Sequence, residues 1–383
     1  MTELQYTLGV MGLAWLMIVA AFAFLPYYTR KSISFGIAVP KEVYDSEFFS
    51  SLRQQYLWAN LVLGAVLLCV TVVAMLRLPE DTGALVSVGL ILFYTALSFV
   101  FYARAHNRSR DYKRASDWTI STTAVASIID RDDTRKLFNP WWYLTYLILI
   151  GATAAASLFA YPSLPEMIPQ QFDLAGNATT YATKSMGVIL SMPLTQLAMT
   201  ALFVGIGYMI NRAKRQTDDS DVRQGLRNNR TFQIVMGKTM FWLGLAMQLM
   251  LSASQLSIIG WLSPAVILWA TFALLAFIIV IVVYVTLSVG QGGYRLAERA
   301  GQAGKDTVGS ELSEHEGVDD DSQWILWGTF YNNSEDPSIF VEKRVGVGWT
   351  TNVGHPIGKA LVIATAILLV GLIVALPWLA ATS

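Results

Sequence analysis

Cysteine and histidine are almost absent from this 383-residue sequence, which has one Cys (Cys69) and three His (His106, His315 and His355). A single cysteine excludes a disulfide within the chain and any metal or redox site built from several cysteines. The three histidines are too scattered to form a spaced metal-binding motif. The sequence therefore indicates no cofactor and no metal, and we expect none.

Charged residues are missing from seven long stretches, each of at least 22 residues. The longest has 56 residues, enough for two membrane helices and a turn, because one helix needs about 20 apolar residues to cross a bilayer. The pattern predicts an all-α polytopic membrane protein with eight transmembrane helices, placed near 7–28, 56–76, 83–103, 141–161, 186–210, 240–261, 265–288 and 358–380.

Basic residues are nearly absent from every second connection between these helices. One side of the membrane would carry 25 Lys and Arg residues, whereas the other would carry only Arg77 and Lys184. Short basic loops are retained in the cytoplasm, so the first side is predicted to be cytoplasmic and both termini to lie outside. A signal peptide at 1–25 would need a basic segment before its apolar run, which this sequence lacks.

Several function classes lack their usual residues. No ionisable residue lies in the middle of a predicted helix, where proton-driven carriers usually place one. There is no Ser/His/Asp set, no His-Glu-x-x-His motif and no P-loop, so we expect no enzyme activity. Equal numbers of basic and acidic residues, 27 each, give no surplus for binding nucleic acid.

Uncharged polar residues do occur inside two neighbouring predicted helices. Gln196 and Thr200 lie in the fifth helix, and Gln248, Ser252 and Gln255 lie in the sixth. Such side chains either hydrogen-bond between helices or line a polar ligand pocket. The sequence leaves both interpretations open.

The longest predicted outside segment, 161–184, contains the run Leu-Pro-Glu-x-Ile-Pro-x-Gln-Phe-x-x-x-Gly. It resembles the DUF1648 family, in which a Leu-Pro-Glu-x-Ile-Pro-x-His-Phe-x-x-x-Gly run lies between two membrane helices. Gln171 replaces the usual His, so no imidazole is available there. The family includes SdpI-like proteins, and the resemblance implies a bacterial cytoplasmic membrane protein that senses, or gives immunity to, a secreted peptide or toxin. The candidate ligand-contacting residues are Pro165, Glu166, Pro169, Gln171, Phe172 and Gly176. A rigid cap on the adjacent helices is the alternative.

Residues 324–356 follow an acidic, apolar-poor stretch, 291–323, which is typical of a solvated cytoplasmic linker. Aromatic residues and turn formers in 324–356 predict a small cytoplasmic β-unit, with strands at 324–331, 339–344 and 345–353. This segment resembles the DUF5808 family of unknown function, through Trp-Gly, Tyr-Asn, Asp-Pro, Val-x-Lys-Arg and Gly-x-Gly-Trp-Thr-x-Asn elements. The candidate surface for a cytoplasmic partner comprises Trp327, Tyr331, Asn332, Lys343, Arg344, Trp349 and Asn352.

Two other predicted cytoplasmic segments, 32–40 and 119–129, are also rich in β-forming residues. A three-stranded unit alone is marginally stable. We therefore expect one composite β-layer, with strands from 32–40, 119–129 and 324–353, beneath the helix bundle.

The sequence thus predicts a seven-helix membrane region at 1–290, a linker at 291–323, a β-unit at 324–356 and an eighth helix at 357–383. The expected partners are the lipid bilayer, an extracellular peptide or toxin, and a cytoplasmic regulator or membrane-complex subunit. Sensing or immunity is the favoured function. A transporter subunit for a small or lipid-like molecule and a structural subunit of a membrane complex are the alternatives.

Overall fold

A computed structural model describes residues 3–116, 121–123, 139–172, 177–213, 222–293, 295, 316–318, 321–367 and 371. Within them lie α1 (Glu3–Ala23), α2 (Lys41–Tyr44), α3 (Glu47–Arg77), α4 (Glu80–Ala115), α5 (Leu144–Ala160), α6 (Met186–Arg212), α7 (Val222–Ile258), α8 (Ala265–Ser288) and α9 (Pro356–Ile367). Six of these helices, α3 to α8, contain segments long and apolar enough to cross a membrane.

The predicted helix boundaries agree best at the starts of α6 and α8. α6 and α8 begin at the predicted residues, 186 and 265. α3 and α7 begin earlier than predicted, at Glu47 and Val222, because each helix continues beyond its charge-free stretch into polar sequence. The apolar part of α1 and the described part of α9 are shorter than a full span. Residues 372–383, which would complete the eighth span, lie outside the described residues.

Within the described residues, the strands form five separate antiparallel pairs. They are β1 (Ile33–Ser34) with β2 (Ile37–Ala38), β3 (Ser121–Thr123) with β6 (Glu316–Val318), β4 (Met167–Phe172) with β5 (Ala178–Thr183), β7 (Trp324–Ile325) with β8 (Phe330–Tyr331), and β9 (Phe340–Glu342) with β10 (Trp349–Thr351). The β4–β5 pair joins α5 to α6 at one end of the bundle. The β1–β2 pair and residues 321–355 lie at the opposite end.

The expected composite β-layer is wrong as a single sheet. The β3 strand pairs with β6, and β1–β2 makes its contact with residues 321–355 through side chains and turns. The predicted strand 324–331 is a short hairpin, because Leu326, Trp327 and Gly328 all have positive φ and reverse the chain. Most of the predicted strand 119–129 lies outside the described residues.

The long helices pack in two groups. In the first group, α3 packs against α1 and α4; in the second, α5, α6 and α7 pack together and α8 packs on α7. Within the described ranges, no helix of one group packs extensively against a helix of the other. Residues 321–355, here called the clamp, contact both groups and therefore connect them at one end.

Candidate functional site

The β4–β5 hairpin caps the ends of α5, α6 and α7. Ile168 of β4 is 0% exposed and packs with Ile189 of α6 and Ile258 of α7. Phe172 packs against the same cluster. Alternation along a strand directs one side of the hairpin into the bundle and leaves the other exposed. The hairpin is therefore held rigidly on the second helical group.

Lys184 fixes the base of this hairpin. Its Nζ donates to the backbone oxygen of Leu164 at 2.7 Å and lies 5.1 Å from the centre of the Tyr161 ring. Its backbone N–H donates to the backbone oxygen of Glu166 at 2.8 Å, which closes the strand pair. One of the two basic residues predicted outside is thus used to hold the hairpin.

The predicted ligand-contacting residues occupy different environments. Pro165, Glu166 and Gln171 are exposed, whereas Pro169 is half-buried and Phe172 packs onto the bundle. Gly176 lies outside the described residues. The exposed residues are accessible to a ligand, and the packing of the hairpin also agrees with the alternative of a rigid cap.

A polar seam joins α5, α6 and α7, and consists of Thr153, Ser157, Gln196, Thr200, Gln248, Ser252 and Gln255. Gln196 and Gln248 bond reciprocally, because Nε2 of each donates to the backbone oxygen of the other, at 3.1 and 2.9 Å. Gln255 Nε2 donates to Ser157 Oγ at 2.9 Å and to the Ile189 oxygen at 3.1 Å. The amide donors are thus used between helices, which favours the helix-packing interpretation.

A buried carboxylate of the clamp contacts both helical groups. Glu342, which is 2% exposed, forms an ion pair with Arg30, which follows α1 and is 8% exposed. The same carboxylate accepts hydrogen bonds from Asn229 Nδ2 at 3.3 Å and from Gln291 Nε2 at 3.0 Å. The Glu342 side chain of the clamp therefore contacts Arg30, helix α7 and the segment after α8.

Gln291 also holds the turn between β9 and β10. Its Oε1 accepts from the backbone N–H of Gly348 at 2.7 Å, and its Nε2 donates to the oxygen of the same residue at 3.0 Å. The Gly-x-Gly-Trp run at 346–349 is consequently a loop fastened to the membrane region. The Gly348 N–H, which a phosphate-binding loop would direct at an anion, is already used.

A second ion cluster attaches the clamp to the first helical group. Asp321 forms an ion pair with Arg344, and its other oxygen accepts from Lys113 Nζ of α4 at 2.6 Å. Arg344 Nη1 also donates to the backbone oxygen of Gly36 at 3.2 Å. Gln291 and Asp321 lie near the two ends of the predicted 291–323 linker. Both are thus anchored in the fold.

The closest approach between the β1–β2 hairpin and the clamp involves two glycines. Phe35 and Gly36 both have positive φ and form the two-residue turn of that hairpin. A Cβ on Gly36 would lie 2.6 Å from the Trp327 oxygen, and one on Gly328 would lie 2.8 Å from the Gly36 Cα. Phe35 packs with Tyr56 and other core residues beside this contact.

Apolar contacts join the clamp to both helical groups. Trp327 and Val345 pack against the cluster that contains Tyr102 of α4. Trp349 packs in a different cluster, with its ring centre 5.2 Å from that of Phe232 of α7. Burial of aromatic surface is a major stabilising contribution, so each side of the clamp is held by apolar as well as polar contacts.

The candidate partner surface is largely inside the protein. Tyr331, Arg344, Trp349 and Asn352 are buried, and Trp327 and Lys343 are half-buried. They are polar or aromatic but pack within the clamp or against the bundle, so a partner cannot reach the buried four in this conformation. Asn332 is the exposed member of the set. Contact with a cytoplasmic partner stays a prediction.

Burial also affects the ionisable groups of the clamp. It raises the pKa of the Tyr331 hydroxyl to about 12, and the nearby Asp336 carboxylate, 3.1 Å away, acts in the same direction. It lowers the pKa of Lys343 below its ordinary value. The Tyr331 hydroxyl is therefore neutral at physiological pH and serves as a hydrogen-bonding group.

Asn352 organises the internal loop of the clamp and is 0% exposed. Its Nδ2 lies 2.8–3.1 Å from the backbone oxygens of Asn333, Asp336 and Ser338. Its Oδ1 accepts from the N–H groups of Asn333 and Gly354, both at 3.0 Å. One side chain thus satisfies backbone groups from three parts of the loop.

Replacing Asn352 by alanine is expected to lower the stability of the clamp by about 2 kcal/mol, because buried backbone groups lose their partners. Hydrogen–deuterium exchange of residues 331–354 in lipid nanodiscs measures this change. Asn332→Ala is the matched control, because the Asn332 side chain is exposed. Equal exchange in the two variants would contradict the role assigned to Asn352.

The sequence interpretation missed Arg30, Gly36, Gln291 and Asp321. Arg30 looked like an ordinary basic residue at a helix end, and Gln291 and Asp321 fell within the predicted linker. Gly36 carried a usable signal, since glycine after Phe35 in a β-rich segment suits a two-residue turn. Among the described residues, no group of three or more His, Cys, Asp or Glu could hold a metal ion.

Six apolar helices of sufficient length, largely exposed on their apolar faces, define an integral, multi-pass membrane protein. Residues 148–197 match the family model of DUF1648, a domain of unknown function, and residues 334–359 match that of DUF5808, a family of unknown function. The first match covers much of α5, the β4–β5 hairpin and the start of α6; the second covers most of the clamp and the start of α9. No curated protein and no solved structure matches the chain.

Proposed function

We propose that this protein lies in the bacterial cytoplasmic membrane, where it senses, or gives immunity to, an envelope-active peptide or toxin and signals to a cytoplasmic partner. In this proposal eight helices cross the membrane, with α1 and α9 as the first and last. The β4–β5 hairpin and both termini face outwards, as the asymmetry of basic residues suggests. The clamp faces the cytoplasm. The role is non-enzymatic.

The observation that carries the proposal is that α6 and α7 each contact both the hairpin and the clamp-bearing end. Ile189 of α6 and Ile258 of α7 pack under the hairpin. At the other end, Ile210 of α6 and Phe232 of α7 pack in the same cluster as Trp349 of the clamp. α7 has 37 residues, a length of about 55 Å, so it reaches from one surface to the other.

The polar seam supports transmission along this path. Its hydrogen bonds tie α5, α6 and α7 together at several levels, from Gln255 near the hairpin to Thr200 further along α6. Helices tied in this way move together more readily than they slide past one another. A ligand that displaced the hairpin would then shift the contact between Phe232 and Trp349 and loosen the clamp.

The test is survival of a bacterial host that expresses the protein, challenged with a panel of secreted peptides and toxins. We expect protection against at least one agent. The double variant Glu166→Ala/Gln171→Ala, which alters exposed residues of the hairpin, should lose that protection while its amount in the membrane stays unchanged.

Glu335→Ala is the control, because Glu335 is an exposed carboxylate at the opposite end of the molecule. It should protect as well as the original protein. The proposal fails if no agent is resisted, or if protection survives the hairpin substitutions. Faster hydrogen exchange of the clamp upon addition of the agent would support signalling across the membrane.

A further inference from the structure

The two strands of the β4–β5 hairpin have unlike outer edges. β4 contains Pro169 and is irregular on both sides of Gln171, features that prevent another strand from pairing alongside. From Tyr181 to Thr183, β5 has no proline, no charge and a regular register. Within the described residues, β5 pairs with β4 alone. One edge of the hairpin is therefore protected and the other is open.

The pairing register shows which backbone groups lie on the open edge. The backbone N–H of Lys184 donates to the backbone oxygen of Glu166, so these two residues form a hydrogen-bonded pair. Hydrogen-bonded and non-bonded pairs alternate in an antiparallel sheet. Pro169, which has no N–H, then falls opposite Tyr181 at a non-bonded position. The N–H and C=O groups of Tyr181 and Thr183 consequently point away from β4, and both residues are exposed.

We infer that an extended, basic peptide binds here by adding a third strand along the edge of β5. An unpaired, uncharged edge binds extended polypeptide through its backbone groups. The charge of this side of the molecule selects a basic partner. Its predicted segments carry two basic and five acidic residues, a net charge of −3, the acidic ones being Glu3, Glu80, Asp81, Glu166 and Asp173.

Lys184, one of the two basic residues, donates to the backbone oxygen of Leu164, which holds its ammonium group at the base of the hairpin. A basic peptide would thus meet a side of the protein whose predicted segments carry a net negative charge, and an edge that supplies hydrogen bonds. This inference rests on the proposed function, since it names the chemistry of the ligand and the way in which it docks.

The test uses a fluorescent peptide of alternating lysine and valine and its glutamate–valine counterpart. Binding is followed by anisotropy with the full chain in nanodiscs of zwitterionic lipid. We expect the lysine peptide to bind and the glutamate peptide not to bind. Tyr181→Pro removes an outward N–H without removing a bond to β4, and should weaken binding by about tenfold or more.

Tyr181→Thr is the matched control, because it keeps the backbone N–H and a strand-forming side chain. It should bind as the original does. If Tyr181→Pro fails to fold, Thr183→Pro tests the same edge at the next outward position. Equal binding by the proline variants, or equal binding of both peptides, would overturn the inference.

Two further outcomes separate this inference from the proposed function. Loss of host protection in Glu166→Ala/Gln171→Ala, together with full protection in Tyr181→Pro, would leave the function standing and reject strand addition. Disulfide formation between copies carrying Tyr181→Cys in a Cys69→Ser background would show β5 edges paired with each other, and would overturn the assignment of a separate peptide.

Discussion

Replacing Glu342 by alanine is expected to loosen the clamp from both helical groups, at a cost of about 3–5 kcal/mol. Arg30 would lose its carboxylate partner in a buried site, and Asn229 and Gln291 would lose an acceptor. Removing one member of a buried ion pair is much more costly than removing both, because the remaining charge stays in surroundings that solvate it poorly.

Hydrogen exchange of β9 and β10 in nanodiscs measures the release, and thermal unfolding measures its total effect. The double variant Arg30→Met/Glu342→Met should regain most of the lost stability, since an apolar pair can replace a buried ion pair. Glu335→Ala, which alters an exposed carboxylate of the same clamp, should change little. This account would be contradicted if β9 exchanged hydrogen as slowly in Glu342→Ala as in the original protein.

Replacing Gly36 by alanine is expected to separate the β1–β2 hairpin from the clamp, at a cost of about 2–4 kcal/mol. Its φ of +80° disfavours any residue with a side chain. The new Cβ would also lie 2.6 Å from a backbone oxygen, that of Trp327, which cannot turn aside as a flexible side chain can. The β1–β2 hairpin would then lose its close backbone contact with the clamp.

Gly328→Ala should have a similar effect from the opposite side of the contact, where φ is +83°. Because both substitutions separate the same two backbones, the double variant should cost less than the sum of the two. Gly89→Ala in α4 is the control: nothing lies within 4 Å of its added Cβ, and alanine favours the helix. An equal change in the thermal unfolding temperature of Gly36→Ala, Gly328→Ala and Gly89→Ala would refute the proposed contact.

The membrane helices could be located from the sequence because the requirement they satisfy is local. A stretch of about 20 residues without charge can cross a bilayer whatever the rest of the chain does. α6 and α8 accordingly begin at the predicted residues. The sequence located the segment 161–184 between α5 and α6, but the pairing of β4 with β5 within it was not predicted.

The environment of the clamp residues was not predictable in the same way. Polar and aromatic residues such as Arg344, Trp349 and Asn352 suggest an exposed surface when each is considered alone. Their burial depends on partners far away in the sequence, such as Asp321 for Arg344 and Phe232 for Trp349. No local pattern indicates which distant residue will supply the missing charge or ring.

By itself, the sequence therefore determined that this chain is a multi-pass membrane protein and where most of its long helices lie, because burial in lipid acts on each segment separately. Only the tertiary structure decided that residues 321–355 connect two helical groups. That connection depends on the ion pairs of Arg30 with Glu342, 312 residues apart, and of Lys113 with Asp321, 208 residues apart, on the first group, and on the hydrogen bond of Asn229 with Glu342 on the second. Such ion pairs form only after folding has brought their side chains together and removed the water between them.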